Sequence, residues 1–169
     1  MHDVERALEH ARSVKDPQAI VPTLAFAVRC YAELGRAADA RKLASELLEL
    51  ARPLNAPTYS YINFAWVARK VGCSDELRDL LTRYARQTRW IAAARAVVDE
   101  AFADAAKLFA EMPSRPHEAW ARLRLAESLL AWGRRSEGDA ELQRALGFFR
   151  SVGATRYVRL GEALLAAAS

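Results

Sequence analysis

The 169-residue chain is 52% hydrophobic and 27% charged, with only seven glycines and six prolines, a composition that supplies a core and excludes disorder, collagen-like repeats and low-complexity linkers. Its 25 basic and 21 acidic residues give +4, interspersed along the chain, so nucleic acid is not the expected partner. No apolar run reaches the roughly 18 residues of a membrane span, and MHDVERALEH is charged where a signal peptide's apolar region would begin; one cytoplasmic domain over residues 1–169 is expected.

In chain order, residues 2–15 predict an amphipathic helix with Val4, Leu8, Ala11 and Val14 on its apolar side. It reads either as a cap on the first complete hairpin or as half of a helix pair. Leu24, Ala27, Val28, Tyr31 and Leu34 then form a stripe that Gly35 stops, and Ala40, Leu43, Ala44 and Leu47 form the next. Glycine suits such a turn because, lacking Cβ, it enters the left-handed conformation that closes a helix end. Alanine at 40 lets the two helices approach closely. Gly72 follows FAWVARKV in the same way, with Ser74 read as a cap beyond it; Glu100 occupies the break before AFADAAKLF; Gly133 follows AESLLAW. The spacings are 37, 28 and 33 residues. Gly153 ends a further helix, and Thr155 is read as the cap of a last one, with Tyr157, Leu160 and Leu164 facing inward and Arg156, Arg159 and Glu162 facing water. With no alternating strand pattern, the expected class is all-α, with about ten antiparallel helices.

Helical pairs recurring at this interval cannot bury their apolar faces alone and stack on their neighbours, which favours a right-handed α-α superhelix. The pattern carried by Leu24, Tyr31, Gly35 and Ala40 resembles the tetratricopeptide repeat. Leu77 and Gly138 take the alanine slot in the second and fourth hairpins, and the third has no turn glycine, so the resemblance is to a divergent subclass. The block from LFAEMPSRPHEAW to GEALLA resembles the C-terminal tetratricopeptide-like end of large bacterial signal-transduction ATPases, including those fused to adenylate cyclase domains and LuxR-type regulators; the match is densest from Ala101 to Ala166. That resemblance implies a regulatory tail that follows a P-loop ATPase module. No GxxxxGK stretch occurs in the chain, and no DNA-reading helix-turn-helix follows Leu165. The implied role is a scaffold for protein contacts, its partner a protein or peptide, the ATPase module of a longer parent chain included.

Residues with chemical potential are scattered. Cys30 and Cys73 lie 43 positions apart without CxxC spacing and read as reduced core thiols. His2, His10 and His117 show no HExxH spacing, and Ser74 and Ser114 lack a GxSxG context. Asp75/Glu76 and Asp99/Glu100 are adjacent, so on a helix they diverge by about 100° and cannot flank one bond. No catalytic, cofactor or metal site is expected, and no enzyme.

Aligning the hairpins on their turns, and taking the positions that tetratricopeptide folds aim at a concave groove, gathers Phe26, Arg29 and Glu33, then Tyr59, Asn63, Trp66, Arg69 and Lys70, then Gln87 and Trp90, then Trp120, Arg124 and Glu127. Aromatic rings interleaved with guanidinium groups suit a peptide or small anion, since arginine grips carboxylates bidentately and stacks on rings. Aromatics at helical spacing are, however, more often core than a ligand box. A small-molecule or peptide sensor lobe is the alternative function, and an RNA-binding repeat a weaker third.

Overall fold

The computed structural model describes residues 2–54, 59–84 and 87–167, and among them the chain is helix and turn with no strand. The ten helices among these residues are α1 His2–Val14, α2 Pro17–Glu33, α3 Ala37–Ala51, α4 Tyr61–Ala65, α5 Ser74–Arg83, α6 Arg89–Val98, α7 Phe102–Glu111, α8 Arg115–Ala131, α9 Arg135–Ser151 and α10 Thr155–Ala167. The backbone gathers into two compact units, Met1–Asp99 with α1 to α6 and Glu100–Ser169 with α7 to α10.

The four turn glycines behave as their positions predict. Gly35, Gly72, Gly133 and Gly153 all have φ between 66° and 79°. At each, the glycine N–H and the N–H that follows it reach back to carbonyls three and five residues earlier, as in Gly35 N to Ala32 O at 3.1 Å and Arg36 N to Tyr31 O at 2.9 Å. This paired closure satisfies carbonyls that a helix end would leave bare. Glu100, at the α6–α7 break, and Lys15, at the α1–α2 break, each have φ 57° and hold the left-handed conformation with a Cβ in place.

In the first unit α2 packs on α1, α3 and α4, α4 packs on α6, α3 on α5 and α5 on α6. Leu24, Ala25, Ala27, Val28, Ala40, Ala44 and Leu47 are fully buried in its first hairpin, and the alanines let the backbones close in. Two rows result, α2–α4–α6 and α1–α3–α5. The second row is cross-linked by arginines. Arg12 of α1 forks onto Glu46 of α3 at 2.9 and 2.5 Å. Arg41 of α3 donates to the carbonyls of Val71, at 3.0 Å, and Gly72, and reaches Glu76 of α5 at 3.3 Å. Arg78 of α5 repeats the device: like Arg41 it stands six residues past its own turn glycine, and it reaches Asp99, in the next break, at 2.6 Å. In the second unit α8 packs on α7 and α9, and α9 on α10, around Phe109, Leu123, Leu142, Leu146 and Phe149.

Some expectations change. Ser74 is the first residue of α5 rather than its cap: Cys73 holds the N-cap position without a side-chain bond, because the paired closure at Gly72, with Cys73 N on Ala68 O at 2.8 Å, puts the residue directly after the glycine at the cap, as at Arg36 and Arg134. Among the described residues, side-chain caps are formed by Asp16, accepting from Gln18 N at 2.8 Å, and Thr88, accepting from Ile91 N at 3.2 Å. Thr155 likewise lies inside α10. Leu160 is 37% exposed and Val14 51% exposed, so the inward side of α10 runs through Tyr157, Val158 and Gly161, with Leu164 and Leu165 half-buried. On α1, Leu8 and Ala11 are buried. The segment carrying Tyr59 to Lys70 holds only the five residues of α4 as α-helix; beyond it the chain tightens, with Val67 N on Phe64 O and Gly72 N on Arg69 O.

Candidate partner-binding surface

The row α2–α4–α6 brings together most of the aromatic and arginine residues singled out in the first unit. On α2, Phe26 projects from the core at 52% exposure, one turn before Arg29, which is half-buried. Arg29 donates from Nε to Glu33 Oε1 at 2.9 Å on its own helix and from Nη1 to Asn63 Oδ1 on α4 at 3.2 Å. The bond to Asn63 ties α2 to α4 across the surface. Tyr59, just ahead of α4 and 63% exposed, meets the Trp90 ring of α6 at 6.1 Å between centroids, tilted by 60°, a separation at which aromatic pairs attract. Trp66 and Trp90 are half-buried, and Arg69 and Lys70 exposed. Gln87 is turned to its own backbone, its amide donating to Tyr84 O at 2.6 Å and Leu81 O at 3.3 Å.

Behind this surface, Tyr61 and Tyr84 are buried, their hydroxyls 2.6 Å apart and their rings stacked at 5.9 Å. Burial is the leading cause that pushes both phenols above their ordinary range. Burial also raises the Cys30 and Cys73 thiols, with Glu33 adding to the first. Thiols held protonated are poor nucleophiles.

Trp120, Arg124 and Glu127 lie on α8 of the second unit. Trp120 is buried at 9% exposure, its ring edge-on to Tyr157 of α10 at 4.6 Å, while Tyr157 also meets Phe149 at 5.0 Å. The tryptophan thus closes α10 onto the hairpin as core. Arg124 lies 5.6 Å from the Trp120 ring and is bonded to Glu127 at 2.6 Å.

Two features escaped sequence reasoning. Trp132 is 69% exposed; its signal was its place directly before Gly133, where a C-cap side chain points out of the turn. Pro17, Ile20, Val21, Leu50 and Leu54 line a depression of about 470 Å³ rimmed by Arg12, Lys15, Glu46 and Glu49. Among the described residues no group of His, Cys, Asp and Glu could hold a metal ion, and no helix is long and apolar enough to cross a membrane. No family model, no curated protein and no solved structure matches this chain.

Proposed function

We propose that the protein is a noncatalytic helical scaffold that holds a protein or peptide partner on the α2–α4–α6 row. The observation that carries this reading is the pair of contacts Arg29–Asn63 and Tyr59–Trp90, which link α2 to α4 and the turn just ahead of α4 to α6, beside the exposed rings of Phe26 and Tyr59. Rigid aromatic anchors and arginines dominate the energetics of protein interfaces. The tetratricopeptide-like pattern around Leu24, Tyr31, Gly35 and Ala40 supports a stacked repeat arrangement. The resemblance of residues 101–166 to the tails of bacterial signalling ATPases supports a regulatory setting inside the cell.

The test is selection of a displayed random-peptide library on the wild-type protein, with clones recounted on the Phe26→Ala/Tyr59→Ala variant. Enriched clones should lose binding to the variant by about tenfold or more, as loss of aromatic anchors does. Clones that bind both proteins equally would place the partner surface elsewhere. The second reading, a sensor lobe for a small ligand, is favoured by the depression beside Ile20 and Leu50, whose volume falls within the range of small-molecule sites; a ligand seated there would protect Leu50 and Leu54 amides from hydrogen exchange.

A further inference from the structure

The two rows of the first unit differ in charge. In the row that carries the aromatic surface, α2 holds Arg29 and Glu33, the segment from Tyr59 to Gly72 holds Arg69 and Lys70 with no acid, and α6 holds Arg89 and Arg95 with no acid. Five basic residues thus stand against Glu33 alone, and Glu33 is bound by Arg29. In the other row the sign reverses. Helices α1, α3 and α5 each carry three acids and two basic residues. Asp99, the first acid after α6, is held by Arg78 of α5. A net charge of +4 spread along the chain hides this separation, which appears only once α4 is seen to lie between α2 and α6.

Resting on the reading of this row as the partner surface, we propose that its partner is an extended acidic peptide segment carrying aromatic or other large apolar residues. Phe26 and Tyr59 offer exposed rings to the apolar side chains. Lys70 and Arg95 offer cations to the carboxylates, and arginine pairs a carboxylate through two parallel bonds. Asn63 accepts through Oδ1 from Arg29, which leaves its amide nitrogen to donate to a peptide carbonyl. Nucleic acid fits less well, because Glu33 sits inside the stripe and Arg29 is already engaged by it, so the cations do not form an unbroken track for phosphates.

Fluorescence anisotropy with four labelled probes tests this: an acidic-aromatic peptide, the same peptide with lysine at each acid, the acidic peptide with alanine at each aromatic, and a single-stranded oligonucleotide. The acidic-aromatic peptide should bind about tenfold or more tighter than each of the others, with the margin over the lysine peptide shrinking as salt rises. Lys70→Glu/Arg95→Glu should erase the preference for acid over lysine; if that variant loses helix by circular dichroism, Lys70→Gln/Arg95→Gln is read in its place. Equal binding of acidic and lysine peptides, with both still abolished by Phe26→Ala/Tyr59→Ala, overturns the charge assignment and leaves the partner surface standing. Binding that ignores Phe26→Ala/Tyr59→Ala, or no peptide binding at all, overturns both. Tighter binding of the oligonucleotide than of any peptide overturns the choice of a peptide.

Discussion

Two glycines of α9 make opposite demands on the same change. At Gly138 an added Cβ would stand 2.8 Å from Leu130 Cγ, 2.9 Å from its Cδ2 and 3.3 Å from its backbone nitrogen, whereas at Gly147 it would meet nothing within 4 Å. Alanine ordinarily stabilises a helix interior by about 0.5–1 kcal/mol over glycine, so Gly147→Ala should raise the unfolding free energy by that amount, read as a higher urea midpoint at unchanged slope. Gly138→Ala should lower stability by about 1–2 kcal/mol, since Leu130 must move out of a packed hairpin. The fourth hairpin's departure from alanine at this slot is therefore a fit to Leu130, which the sequence pattern alone registered as degeneracy. Tyr61 and Tyr84 make the pH prediction. Their phenols ionise less readily folded than unfolded, so their contribution is complete below the unfolded phenol value of about 10 and is lost as pH rises above it. Alkaline unfolding followed by circular dichroism should move to higher pH in Tyr61→Phe/Tyr84→Phe, which removes both ionisable groups and leaves neither hydroxyl without its partner.

Among the elements, α4 is held by few bonds of its own, and the chain after it is anchored from outside by Arg41. Replacing Arg41 by alanine bares the Val71 and Gly72 carbonyls and should cost about 1 kcal/mol, the usual worth of such bonds at a half-exposed site. Faster hydrogen exchange at Cys73 and Leu77, whose amides close this turn and open α5, would show it; unchanged exchange would mean the turn holds itself. The helix ends at Gly35, Gly72, Gly133 and Gly153 were legible because glycine stands where the chain goes left-handed; Lys15, which turns the same way between α1 and α2, carries no such signal. The arginine cross-links were not, although Arg41 and Arg78 stand at one register, because that register has meaning only after α3 and α5 are neighbours. Trp66, Trp90 and Trp120 illustrate the same limit. Helical spacing groups them together, but Trp120 is turned inward by Tyr157, a residue 37 positions later that no local pattern links to it.

At the scale of the molecule, repeat-like stacking confines damage to neighbours. Ala40 is fully buried in the α2–α3 hairpin, so Ala40→Leu should overpack it and cost roughly 1–3 kcal/mol. Native-state hydrogen exchange should show the loss in α2 and α3 and the helices they touch, with α8 and α9 changed least; a uniform loss would show one indivisible cooperative body. The order in which helices pair has a consequence in time as well. Within each unit a helix packs on the next one or the next but one along the chain, so no helix waits for a distant segment to arrive. Folds built from such short loops close in microseconds to milliseconds, far faster than a ribosome adds residues. During synthesis α1, α2 and α3, which are joined through α2, are therefore expected to meet once Ala51 has left the exit tunnel, with Arg12 in reach of Glu46 before Tyr59 and Trp90 emerge.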